Sequence, residues 1–150
     1  MRILLLTFLL LLSACGSVGD TSSANHGYGF EYDVQGTTGL KLRYTPTLTA
    51  ADPLSNPIFV ENIYAQVQAC TGMSAPPPFV IMVAAGSLPN NWIGETQMDP
   101  SLVLIGSTTV EAPSVMRHEL IHHLLGATTG NLDAGHTNNF FKPRADGGCA

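Results

Sequence analysis

Five consecutive residues near the C-terminal end of the chain, His118-Glu119-Leu120-Ile121-His122, combine side chains and spacing suited to chemistry. At 3.6 residues per turn, His118 and His122 stand one turn apart on one face of a helix, so both imidazoles reach a single Zn²⁺ at about 2.0–2.1 Å. Glu119 lies about 100° round that helix from His118. It flanks such an ion without ligating it, the position from which a carboxylate takes a proton from water on the metal. The expected cofactor is one zinc ion. A catalytic zinc usually has three protein ligands and one open position. Downstream of His122 the chemically sensible donors are Asp133, His136 and, less well placed, Asp146. Three glycines between positions 126 and 135 allow positive φ and a reversal of the chain. Ten residues span up to about 33 Å, whereas the return to the metal needs only on the order of 10 Å. A third neutral imidazole is a common zinc donor, so His136 is the expected third ligand. Asp133 stays open as the alternative ligand, or as a partner holding an imidazole N–H. His123 points about 100° away from His122 and cannot share the ion; four residues after Glu119, it either orients that carboxylate or stands exposed.

The elements that must position these residues follow from local pattern. Pro113 near the start and Gly126 past the end bracket a helix over 114–125 that carries the motif. Pro57 at a first helical position, with Phe59, Val60, Ile63, Tyr64 and Val67 at spacings of three and four, predicts a second amphipathic helix over 57–70. Residues 28–34 and 40–44 read as two strands around a Gly36-Thr37-Thr38-Gly39 hairpin loop, because Leu40, Leu42 and Tyr44 alternate with Lys41 and Arg43. The apolar run 79–84 predicts a buried strand, 86–101 a long polar excursion, and 102–105 a further strand. For Leu102 to Ile105 and for Trp92, packing in the core is preferred over pairing with a substrate or lining a cleft rim. The sum is an α+β fold with a mixed sheet.

The N-terminus reads differently. After Met1 and Arg2, residues 3–12 are apolar except for Thr7, too short to span a bilayer and suited to the apolar region of a signal peptide. Leu12-Ser13-Ala14-Cys15 resembles the lipobox of bacterial lipoproteins, which implies cleavage after residue 14 and lipidation of Cys15. Residues 15–27 are small and polar and read as a tether, with no role for His26. The domain proper is then 28–150. The whole chain carries 6 basic against 11 acidic residues, a net charge of −5, and loss of Arg2 makes it more acidic, which gives no support to nucleic-acid binding. With Cys15 committed to lipid, Cys70 and Cys149 remain as an even pair in an exported, oxidising setting, so a disulfide is expected. Such a bridge pins the tail that carries the third ligand against the helix over 57–70, coupling metal geometry to redox state.

The segment His118 to His122 resembles the active-site helix of the zincin metallopeptidases. The order of elements is similar to a minimal zincin domain, with a backing helix, a sheet whose edge strand lines the cleft, and the metal helix after it. Two large zincin branches do not match. Leu125 and Thr128 stand where metzincins carry a glycine and a third histidine, and no methionine follows Met116. Gluzincins take a downstream glutamate as third ligand, but Glu119 is the last glutamate. Asp133 as ligand would make the site resemble that of the aspzincins. His-Glu-x-x-His-His-Leu-Leu followed by Gly, Asp and His also resembles small bacterial metallopeptidases with a late histidine. The resemblance implies a zinc-dependent peptidase acting on peptides or proteins, with His118, His122 and His136 on the metal and Glu119 as general base. The leader implies a bacterial cell-envelope location, anchored to the membrane through lipid on Cys15, or secreted otherwise. The rival expectation is a non-catalytic zinc-binding or envelope-associated lipoprotein in which Glu119 is idle.

Overall fold

The alternation that places Leu40 and Leu42 inward and Lys41 outward builds one strand of a sheet that has five strands among the described residues. The computed structural model describes residues 32–44, 55–82, 88, 93–99, 101–106 and 112–150; the leader, Cys15, the tether and Trp92 lie outside them. The strands are β1 (Tyr32–Gln35), β2 (Lys41–Tyr44), β3 (Phe79–Met82), β4 (Gly94–Met98) and β5 (Ser101–Ile105), in the spatial order β1-β2-β3-β5-β4. The outer pairs β1/β2 and β4/β5 are antiparallel, and the inner pairs β2/β3 and β3/β5 are parallel. The sheet is therefore mixed, compatible with the α+β expectation.

Among the described residues two helices, α1 (Pro57–Thr71) and α2 (Ala112–Thr129), share one core with this sheet. The start of α1 is set by Asn56, whose side chain accepts from the Ile58 amide at 2.9 Å, and by Pro57 just inside. It stops at Gly72, which takes a φ of 69° and donates its N–H to the Gln68 carbonyl. Helix α2 is longer than the sequence suggests. Gly126 does not end it but lies buried within it, and the reversal comes at Gly130, with φ 75° and its N–H on the Gly126 carbonyl. A Cβ on Gly126 would run into Met98 and Leu132, so this glycine serves close packing rather than termination.

Register decides which face meets the helices. Leu42, Val80 and Val103 are direct partners across β2, β3 and β5, and Thr96 is the next partner on β4. The first three are fully buried in the core with Val60, Ile63 and Val67 of α1 and Met116, Leu120 and Leu124 of α2. Thr96 is thereby aimed at α2. One expectation changes here and another holds. The excursion 86–101 contains β4, and β4 is the terminal strand, while Leu102 to Ile105 lies between β3 and β4 and is buried, as core packing requires.

The tail closes the domain. Cys149 is buried and bonded to Cys70, with a Cα–Cα separation of 5.8 Å. Two short 3₁₀ turns, Asn139–Phe141 and Arg144–Asp146, fold the preceding segment. A carboxylate the sequence reading passed over ties the other end. Glu61 of α1, 7% exposed, accepts from Thr38 N and Thr38 Oγ1, both at 2.6 Å, and from Thr37 Oγ1 at 2.9 Å, fixing the β1–β2 loop. Burial pulls its carboxyl up, but the hydrogen bonds from Thr38 and Thr37 outweigh this and hold it below its ordinary value. Among the described residues no helix is long and apolar enough to cross a membrane.

Candidate metal centre

Helix α2 presents His118 and His122 one turn apart, and the chain beyond Gly130 returns His136 to them. The Nε2 atom of His136 lies 3.1 Å from Nε2 of His118 and 3.1 Å from Nε2 of His122. Tetrahedral zinc with Zn–N bonds of about 2.05 Å puts neighbouring nitrogens about 3.3 Å apart, so the trio is spaced as the ligands of one ion. Nδ1 of His122 faces the Leu132 carbonyl within hydrogen-bond distance. Donation there places the proton on Nδ1 and leaves the Nε2 lone pair directed at the cluster, the tautomer a metal needs. Burial, reinforced by His122 and His136, pushes His118 down to about 4, and burial also lowers His122 against the opposing effect of the Leu132 carbonyl. His118 and His122 are thus neutral near pH 7. Three histidines lie close enough to hold a metal ion.

Asp133 is not among them. Its Oδ1 accepts from the Thr137 amide and hydroxyl at 3.1 and 2.8 Å, and its Oδ2 accepts from the Asn138 amide at 2.7 Å. Its carbonyl also accepts from the His136 amide at 2.8 Å. The residue therefore shapes the loop that delivers His136. Both Asp133 and His136 take a φ of 53°, a left-handed conformation that costs roughly 1–2 kcal/mol for a residue with a Cβ. Asp146 sits in the second 3₁₀ turn and takes no part in the cluster.

Glu119 is 7% exposed, with Thr96 Oγ1 2.7 Å from its Oε2 and 2.8 Å from its own carbonyl oxygen. Burial pushes its carboxyl up to about 7, opposed by the Thr96 hydrogen bond and aided by the charge of Glu95. Gly94 makes the close approach of β4 possible, since a Cβ there would strike the Glu119 side chain and Val115. His123 neither orients Glu119 nor stands exposed. It is 2% exposed, with Nε2 2.9 Å from the Pro76 carbonyl and Nδ1 3.2 Å from Ser101 Oγ, and it ties α2 to the α1–β3 connection and to β5.

The histidines and Glu119 line a cleft of about 990 Å³. One wall is Ile93 with Gly94 to Thr96 of strand β4, and the other includes Leu132, Phe141 and Pro143. Phe141 is a participant no sequence pattern marked: its ring centre lies 5.1, 4.5 and 4.7 Å from those of His118, His122 and His136. Comparison with protein-family models, curated proteins and solved structures found no match to this chain.

Proposed function

We propose that this chain is a zinc-dependent peptidase of zincin type. The observation that carries the reading is the convergence of three imidazole Nε2 atoms beside a buried carboxylate at the wall of a cleft. The donor set suits zinc because it is all imidazole, of the right number and spacing, with one imidazole oriented by a backbone carbonyl. His118, His122 and His136 hold the ion, which when bound supplies a Lewis acid that acidifies water and polarises a carbonyl.

The chain's own residues do the rest. Glu119, held by Thr96 in a dry setting, accepts a proton from the attacking water at a carboxylate oxygen and passes it to the leaving amine. Burial raises its carboxyl from the ordinary carboxylate range, which favours its taking a proton. Among the described residues β4 is the outer strand beside β5, and the proposal places an extended peptide along it with its backbone passing Glu119. Phe141, Leu132 and Val115 give the cleft a largely apolar lining, suited to apolar side chains of a substrate. Lipidation at Cys15 and residence in a bacterial envelope are part of the same proposal and rest on the leader sequence.

The test is hydrolysis of a denatured-protein and peptide library by the zinc-loaded chain and by Glu119→Gln. Chelator-sensitive cleavage by the first and none by the second, at equal zinc content, is the expected result. Equal zinc with no cleavage by either leaves a zinc-binding protein and overturns the peptidase.

A further inference from the structure

The third histidine is carried by a segment with little regular structure, and the way that segment is held has a consequence for the metal. From Gly130 to the last residue the chain forms only two 3₁₀ turns. The loop around His136 is organised by Asp133, but those bonds are internal to the loop. Its attachment to the body of the domain is made by Leu132, by Phe140 and Phe141 packed on the core, and by Cys149 bonded to Cys70 at the end of α1.

These attachments are linked. The Cys149 amide donates to the Phe140 carbonyl at 2.8 Å, the Gly148 amide to Pro143 at 3.1 Å, and the Ala150 amide to Lys142 at 3.3 Å. The disulfide therefore fixes a closed loop whose near limb carries Phe141. That ring lies against all three imidazoles, at centre separations of 4.5 to 5.1 Å. Gly148 sits so close to the Lys142 backbone that a Cβ would overlap it, so the two limbs have no slack between them. A continuous path of covalent bond, backbone hydrogen bond and ring contact runs from Cys70 to His136. His136, exposed and in a left-handed conformation, is the ligand with least support of its own.

We infer that the Cys70–Cys149 disulfide and Phe141 together position the third metal ligand, so that reduction of the bridge weakens the three-histidine metal centre without unfolding α2. A dithiol reductant opens the bridge by giving two electrons and two protons, leaving two cysteine thiols and ending as its own disulfide. His118 and His122, held on one helix, keep their mutual geometry. His136 loses its backing and the centre falls toward two ligands. The inference rests on the metal-site reading and adds to it a positioning role for residues outside the ligand set.

The experiment measures zinc affinity by competition with a chromophoric chelator, and the visible absorption of the Co²⁺-substituted chain. It uses the full chain oxidised, the full chain reduced, the Cys70→Ser/Cys149→Ser double variant, and Phe141→Ala with the disulfide intact. Far-UV circular dichroism is recorded on each. Groups that support metal ligands typically contribute 10–100-fold to affinity, so the reduced chain, the double variant and Phe141→Ala should each bind zinc at least about ten-fold more weakly. Their Co²⁺ bands should lose the intensity of a four-coordinate site while the helical signal persists. The serine variant separates loss of the bridge from binding by freed thiols, and Phe141→Ala answers the question if the serine variant does not fold. Wild-type affinity and an unchanged Co²⁺ spectrum in Phe141→Ala, or in a folded reduced chain, overturn the inference. Failure of the oxidised wild-type chain to bind one zinc overturns the metal-site reading itself, a separate outcome.

Discussion

The Thr96 hydroxyl, reaching from the terminal strand, lies 2.7 Å from Oε2 of Glu119, the residue between two metal-ligand candidates on the facing helix. That contact joins sheet and helix at the point where the proposed reaction needs a carboxylate in one orientation. Register explains it: Thr96 follows Leu42, Val80 and Val103 in a row that faces α2, and a polar side chain in that row meets a polar partner.

Thr96→Val removes the hydroxyl at nearly constant volume. A hydrogen bond to a charged group contributes about 1.5–3 kcal/mol, so kcat should fall about ten- to a hundred-fold. Zinc content should be unchanged, because Thr96 touches no ligand candidate, and Thr96→Ser should recover most of the rate. Steady-state kinetics with metal analysis of the three proteins checks this.

Gly94→Ala should act on the same carboxylate from the other side. The added Cβ would strike Glu119 and Val115, so either the carboxylate turns away or β4 shifts. The expected outcome is retained zinc with activity reduced at least about ten-fold, and a stability loss of about 1–3 kcal/mol from overpacking, read from urea denaturation.

Glu61 gives the acid limb of the stability curve. Its folded pKa lies below the ordinary value of 4.5, so the folded state favours the ionised form. Its contribution is fully present above that ordinary value and is lost as pH falls through the lower folded value. Glu61→Gln should lower stability at pH 7 by about 2 kcal/mol, because a neutral amide accepts more weakly from Thr37 and Thr38. Its stability should also fall less steeply between about pH 5 and pH 3, with chemical denaturation at each pH as the measurement.

The disulfide should matter to the whole domain as well as to the metal. Its partners are 79 residues apart, and closing a loop of that length stabilises by about 4.5 kcal/mol in the chain-entropy model. Metal-free Cys70→Ser/Cys149→Ser should lose about that much in guanidinium unfolding at 25 °C. A total stability of roughly 5–15 kcal/mol leaves such a domain folded but marginal.

What the sequence made legible was local. Pro57 announces the start of α1, the spacing of His118 and His122 announces a shared face, and two cysteines left after Cys15 announce a bridge. The third histidine was reachable by chemistry and chain length alone. Contacts set by tertiary packing were not legible. Strand β4, Gly-Glu-Thr-Gln-Met, is half-buried at every position, so it carries no apolar alternation, and its place outside β5 depends on sheet order. Gly126 reads as a helix stop by type, but the crowding of Met98 and Leu132 makes it a packing site. His123 looks like a neighbour of Glu119 along the helix, whereas its hydrogen bonds go to Pro76 and Ser101, distant in sequence. Phe141 has no signature at all; only the folded tail brings it to the imidazoles.

His118, His122 and His136 are proposed to hold one zinc ion with a position left open for water. X-ray absorption at the zinc edge tests it most directly, on the loaded full chain and on His136→Ala. Three imidazole nitrogens at about 2.0–2.1 Å with one light oxygen donor are expected in the first, and one imidazole fewer in the second. An imidazole count unchanged in His136→Ala, or a carboxylate or sulfur donor in place of the third imidazole in the wild-type chain, would contradict it.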